Sequence, residues 1–220
     1  MALKSTTKKN KETLLFVVGS LLLFISFILF HFEKILEVKN DIYNSIQQEI
    51  YKENVKKETN KVVVNVNVDY VTMNKKENSN ETYTPNYIAF LEIDKINLRQ
   101  GILEKNNYYN YVDYHVQILD VSDYPDKING NFILAGHSGT SNVAYFKNLY
   151  KLEINDTAKV YYQNKIYNYK IVNIYQENKD GSINIYRDTN KSTMTLITCT
   201  KDDKLHQTIY ILELIGVETY

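Results

Sequence analysis

The sequence predicts an all-β domain carried behind a single N-terminal apolar helix. Three observations support that reading. A long uncharged apolar run, Leu14 to Phe32, opens the chain. From Tyr87 onward, short apolar or alternating stretches recur between polar turns, without the helix-strand alternation of a doubly wound sheet. Tyrosine, with 20 copies against 8 Phe and no Trp, adds to Ile and Val to give a composition that favours strands.

Composition narrows the possible functions. The 220 residues carry 26 basic and 26 acidic side chains, so formal net charge is zero. That excludes a broadly basic nucleic-acid binder. With 7 Gly and 2 Pro, the chain is neither collagen-like nor a low-complexity linker. Its one cysteine, Cys199, excludes an internal disulfide and a multi-cysteine zinc site.

The elements follow in order. At about 1.5 Å per residue, Leu14 to Phe32 makes a helix of roughly 28 Å, close to the hydrocarbon thickness of a bilayer. Lys4, Lys8, Lys9 and Lys11 precede it, which predicts the N-terminus inside and the remainder outside. A cleaved signal peptide has a shorter apolar core and a small-residue cleavage site. Here bulky FHFEKIL follows, so residues 1–32 read as a cytoplasmic tail and an uncleaved anchor. In either case Cys199 works outside the reducing cytoplasm. Residues 33–86 read as a stalk helix and linker. Ile35, Val38, Ile42, Ile46 and Ile50 recur at helical steps, giving a stripe that stands free as a stalk or packs on the domain or a partner. Val62–Val71 alternates from Val64 and suggests a strand, and Asn74–Asn86 is polar and turn-rich.

Residues 87–220 form the main domain. Tyr87–Ile93, Asn131–Ala135, Thr193–Cys199 and Gln207–Ile215 read as apolar strands. Thr157–Tyr162 and Lys165–Glu177 alternate across Gln163–Asn164, the pattern of a hairpin. Ala144–Leu149 reads as a brief helix or turn. Seven or eight short strands predict a mixed or antiparallel barrel or sandwich.

Two residues stand out chemically. His137 lies in Ala135-Gly136-His137-Ser138-Gly139, directly after an apolar strand, where flanking glycines allow a sharp turn and leave the imidazole accessible. Cys199 ends the strand TLITC, where its sulfur can face a cleft. A thiol becomes a nucleophile by losing its proton, and a nearby imidazole assists that loss. Each also has a plainer reading, the thiol as a small buried hydrophobe and the imidazole as a structural hydrogen-bonding group. His115, in a Tyr-rich loop without glycines, has only the plainer one.

The pattern FILAGHSG … TLITC resembles the sortase family, membrane-anchored cysteine transpeptidases of Gram-positive bacteria. YIAFLEIDKINL resembles the family's first barrel strand and turn, and HQTIYILEL its last strand. The likeness runs from about Tyr87 to Ile215. It implies an eight-stranded mixed β-barrel with short helices and a two-step acyl transfer. Cys199 would attack the Thr–Gly bond of an LPxTG-like sorting signal in a secreted protein, giving a thioacyl-enzyme. An amine from a cell-wall peptide precursor or a pilin lysine would resolve it, with His137 as general acid and then base. Thr198, Ser138 and Arg187 would line the substrate. The resemblance implies no metal, no cofactor and no nucleic-acid partner.

One position departs from the family, which carries an arginine at the start of the last strand. Here Gln207 stands there, and the only arginines are Arg99 and Arg187. An amide donates hydrogen bonds without charge. Either Gln207, with His206 or Lys204, substitutes for the arginine, or Arg187 swings in, or the domain is a degenerate barrel that binds wall peptide or a partner with little catalysis. A papain-like cysteine hydrolase would place its cysteine at a helix N-terminus, against the strand character of TLITC. No Asp-Pro-aromatic lid motif precedes the barrel and no apolar segment follows the last strand, so a wall-anchoring enzyme is expected over a pilin polymerase.

Overall fold

The computed structural model describes residues 3–61 and 85–220. The alternating Val62–Val71 stretch and the Asn74–Asn86 linker up to residue 84 lie outside the described residues. Two compact units, Met1–Tyr43 and Asn44–Tyr220, divide the chain, and one helix, α1 (Leu3–Lys61), runs through both. In the first unit, the Thr13–Phe32 segment of α1 is long and apolar enough to cross a membrane, with a mean hydropathy of 2.7.

In the second unit, the end of α1 packs on the β domain. Glu92 is a buried carboxylate and needs donors. Gln48 Nε2 supplies one at 2.8 Å, beside Lys159 Nζ at 3.3 Å and Tyr161 Oη at 3.5 Å. Tyr51 Oη donates to the Ile88 carbonyl at 2.7 Å, and its ring meets Phe90 at 5.4 Å between centroids. The apolar stripe takes no part in this contact. Ile46 and Ile50 stay exposed, because a polar anchor on Glu92 selects the other side of the helix.

Eight strands form one mixed, nearly closed barrel. They are β1 (Ala89–Ile93), β2 (Leu98–Ile102), β3 (Gln117–Ile118), β4 (Asn131–Ala135), β5 (Thr157–Tyr162), β6 (Lys165–Asn178), β7 (Thr193–Cys199) and β8 (His206–Thr219). Their order is β2-β1-β5-β6-β8-β7-β4-β3, antiparallel throughout except for the parallel pair β4–β7. The β5–β6 hairpin turns at Gln163 (φ 47°) and Asn164 (φ 61°), two consecutive left-handed residues that match the twist of the flanking strands. Ala144–Leu149 is mainly turn, leading into a short 3₁₀ helix at Leu149–Lys151.

The strand β3 carries no sequence periodicity of its own. Asn110 makes it: its side chain accepts from Ile118 N at 2.8 Å and donates to Ile118 O at 3.0 Å, imitating a neighbouring strand.

The strands β4 and β7 are buried on both faces because both are covered. Phe132, Leu134, Met194 and Leu196 join the barrel interior. Ile133 and Ile197 join Ile209 and Ile211 of β8 in a second cluster, packed under Ile183 and Ile185 of the β6–β7 connection.

Candidate active site

Parallel register between β4 and β7 builds the site. Asn131 anchors it at one end, where its buried Oδ1 accepts from Thr193 Oγ1 at 3.0 Å and Thr195 Oγ1 at 2.9 Å. From there the strands run in step to Ala135 opposite Ile197. The pairing persists past the end of β4: Gly136 N donates to Ile197 O at 3.1 Å, and Thr198 Oγ1 donates to Gly136 O at 2.7 Å. His137 and Cys199 are the next residues on the two chain segments after this last bonded pair of Gly136 and Thr198. Because alternate residues of paired strands share a face, both belong to the face of Ala135 and Ile197.

Phe146 fixes the backbone under His137. Its ring is fully buried, and its amide donates to His137 O at 2.9 Å. A Cβ at position 136 would stand 2.9 Å from Phe146 Cδ2. This close approach, and not a left-handed turn, is what requires glycine there: neither Gly136 nor Gly139 has a positive φ, and a Cβ at Gly139 would meet nothing within 4 Å. The imidazole is half-exposed, with Nε2 3.1 Å from Asp113 Oδ1. Asp113 comes from the loop before β3, and nothing in the sequence signalled it.

Cys199 is half-buried at the end of β7. Its register partner on β8 is Gln207, whose own partner on β6 is Glu177. Gln207 thus lies beside the thiol, but its amide is already occupied: Nε2 donates to Asn178 O at 3.3 Å and Ser182 O at 3.1 Å. The group that reaches the sulfur is Lys179, whose Nζ lies 3.2 Å from Cys199 Sγ.

The remaining candidates lie in different places. Thr198 is buried, with its hydroxyl tied to Gly136 O. Ser138 is half-buried in the loop after His137. His206 Nδ1 pairs with Asp203 Oδ2 at 2.7 Å within the β7–β8 turn. Arg187 is at the other end of the parallel pair, where Nη1 donates to the carbonyls of Asn129, Asp188 and Lys191 at 3.2 to 3.3 Å. It holds the entry into β4 and is not brought to Cys199. Among the described residues, no three His, Cys, Asp or Glu side chains gather as a cation site.

The chain was compared with known families and structures. A family model described as the Sortase domain matches residues 91–213, more than half of the chain, including His137, Lys179, Cys199 and Gln207. Among solved structures, a Clostridium perfringens sortase D5 transpeptidase is 28% identical, with TM-score 0.51, over 60% of this chain and 80% of that one. A Listeria monocytogenes sortase A shares the fold at 18% identity and TM-score 0.52, over 61% of this chain and 90% of that one. A Corynebacterium diphtheriae sortase A does so at 22% identity and TM-score 0.54, over 61% of this chain and 63% of that one. No curated protein sequence matches.

Proposed function

The chain belongs to the sortase family, and from that premise we propose that it is a membrane-anchored cysteine transpeptidase acting outside the cytoplasm on the sorting signal of secreted proteins. Cys199 is the nucleophile. Its sulfur, having passed its proton to His137, attacks the scissile carbonyl carbon as thiolate, and the electron pair of the carbonyl moves onto oxygen. When that pair returns, the C–N bond breaks, and His137 gives its proton to the departing amine. The product is a thioester on Cys199. An incoming amine, from a cell-wall peptide precursor or a pilin lysine, then loses a proton to His137 as it attacks the thioester. The C–S bond breaks and the sulfur leaves as thiolate.

The observation that carries this reading is the continuation of the β4–β7 register through Gly136 N, Ile197 O, Gly136 O and Thr198 Oγ1. Continued by one residue on each strand, that register supports a reading in which the imidazole and the half-buried thiol share one face of the sheet. Thr198 acts by holding the two strand ends together. Asp113, beside Nε2, orients the ring. The Thr13–Phe32 segment is the anchor, and the lysines before it keep the N-terminus inside.

The test is intact-mass analysis of the full chain in detergent with a Leu-Pro-Glu-Thr-Gly peptide and added oligoglycine. The expected result is an acyl adduct on Cys199 that oligoglycine discharges into a transfer product, lost in Cys199→Ala and in His137→Ala. Undiminished cleavage by Cys199→Ala would refute it, as would binding of the peptide by wild type with no adduct at all.

A further inference from the structure

We propose that Lys179 is the charged partner of Cys199, and that Gln207 acts as the residue that positions it. The inference rests on the reading of Cys199 as nucleophile, and it starts from the 3.2 Å approach of Nζ to Sγ. A thiol that attacks a carbonyl carries negative charge on sulfur before the attack, and that charge passes to the carbonyl oxygen during it. A fixed cation beside both atoms stabilises each stage.

Both arginines and His206 are held elsewhere. Arg187 is bound to carbonyls at the start of β4. Arg99 lies against Glu92 and Asp94. His206 is paired with Asp203. Lys179 differs, since its Nζ donates to the sulfur.

The placement is built into the backbone. Lys179 follows the last residue of β6, and its own amide donates to Leu205 O at 2.7 Å. Gln207 then grips the segment on both sides of it, through Asn178 O before and Ser182 O after. Both hydrogens of the Gln207 amide are used in that grip. Gln207 therefore has no hydrogen left for a substrate oxygen, and its contribution reaches the reaction through Lys179. A cation arriving from β6 and an uncharged clamp on β8 divide between two strands what one charged side chain on β8 would do alone.

Alkylation tests this without any peptide. Cys199 is the only cysteine, so thiol alkylation in the full chain, followed as the mass added at Cys199, reports on it alone. Iodoacetate is an anion and iodoacetamide is neutral, and the ratio of their rates cancels any change in thiolate population. Lys179→Met lowers the iodoacetate to iodoacetamide ratio about tenfold, equivalent to about 1.4 kcal/mol, between the water and near-surface limits for charges at contact. Lys179→Arg restores the ratio, and Gln207→Ala lowers it in the same direction as Lys179→Met. Circular dichroism and melting temperature of Lys179→Met stay at wild-type values. With the Leu-Pro-Glu-Thr-Gly peptide, Lys179→Met lowers kcat and leaves KM nearly constant.

An unchanged ratio in Lys179→Met overturns the proposal, even if wild type cleaves peptide. A hydroxylamine-resistant peptide adduct on Lys179 also overturns it, by making the amine an acceptor and not a charge. A ratio that responds while wild type forms no acyl adduct would instead overturn the transpeptidase reading alone.

Discussion

Replacing Thr198 by Val tests whether one hydroxyl joins the two halves of the site. The Thr198 hydroxyl donates to Gly136 O at 2.7 Å, and both residues are buried. Valine keeps the branched shape and removes the donor, so no large cavity opens. The loss has two parts. A net hydrogen bond contributes about 1 kcal/mol, and a buried carbonyl left without that donor costs a further ~1 kcal/mol or more. The expected destabilisation is about 2 kcal/mol, which for a domain of this size lowers the melting temperature by roughly 4–8 °C. The rate should fall more than the stability alone explains. Gly136 precedes His137 and Thr198 precedes Cys199, so the lost bond frees the imidazole relative to the sulfur, and small misplacements of reacting groups are costly. Thr198→Ser retains the donor and should recover most of both effects. The assays are thermal unfolding by calorimetry and single-turnover acylation. A Thr198→Val chain that melts and acylates like wild type would refute the idea that this bond sets the geometry.

Two further outcomes are expected. Gly136→Ala drives a Cβ to 2.9 Å from a fully buried ring carbon of Phe146 and should cost about 1–3 kcal/mol by overpacking, whereas Gly139→Ala, with open space around it, should leave the melting temperature unchanged in the same calorimeter. His115 is buried enough that desolvation holds its imidazole below the ordinary 6.5, so the folded state takes up its proton later than the unfolded chain as pH falls. Stability from this group is then complete above about pH 6.5 and is lost as pH drops below that value, and His115→Asn should flatten the slope of melting temperature between pH 7 and pH 5.5.

Much of the barrel was legible because its strands carry their own periodicity. The β5–β6 hairpin alternates cleanly, and its two turn residues are types that tolerate positive φ. The strand β7 coincides with the expected Thr193–Cys199. Other boundaries depend on partners. The strand β8 runs to Thr219, beyond the expected Ile215, because the long arm of β6 continues to pair with Gly216, Val217, Glu218 and Thr219 despite their polarity and exposure. The strand β3 rests on the Asn110 side chain, which no local pattern announces. Likewise, the stripe of Ile46 and Ile50, read as a free stalk or a packing face, stays exposed, while the helix docks through Gln48 to a carboxylate distant in sequence.

At the candidate site, the placement of His137 just after β4 and of Cys199 at the end of β7 was legible, because each apolar strand ends in a distinctive setting. Gln207 was legible as a position but not as a clamp, since its role depends on the carbonyls of Asn178 and Ser182. Lys179 was not legible at all. It is one lysine in the charged, polar run from Glu177 to Ser192, and only the row Glu177–Gln207–Cys199 across three strands brings that run to the thiol. Asp113 was hidden for the same reason, in a tyrosine-rich loop without a pattern of its own.

The parallel pairing of β4 with β7 also bears on when competence arises. These strands lie far apart in the chain, with the local β5–β6 hairpin between them, and joining distant segments carries a larger closure entropy than forming a hairpin. A polypeptide that has reached only its local structure holds Cys199 and His137 on separate strands, β7 and the end of β4. On the proposed transpeptidase reading, acyl transfer then requires β4 and β7 to be paired, and a chain with local structure alone should form no adduct with a sorting-signal peptide.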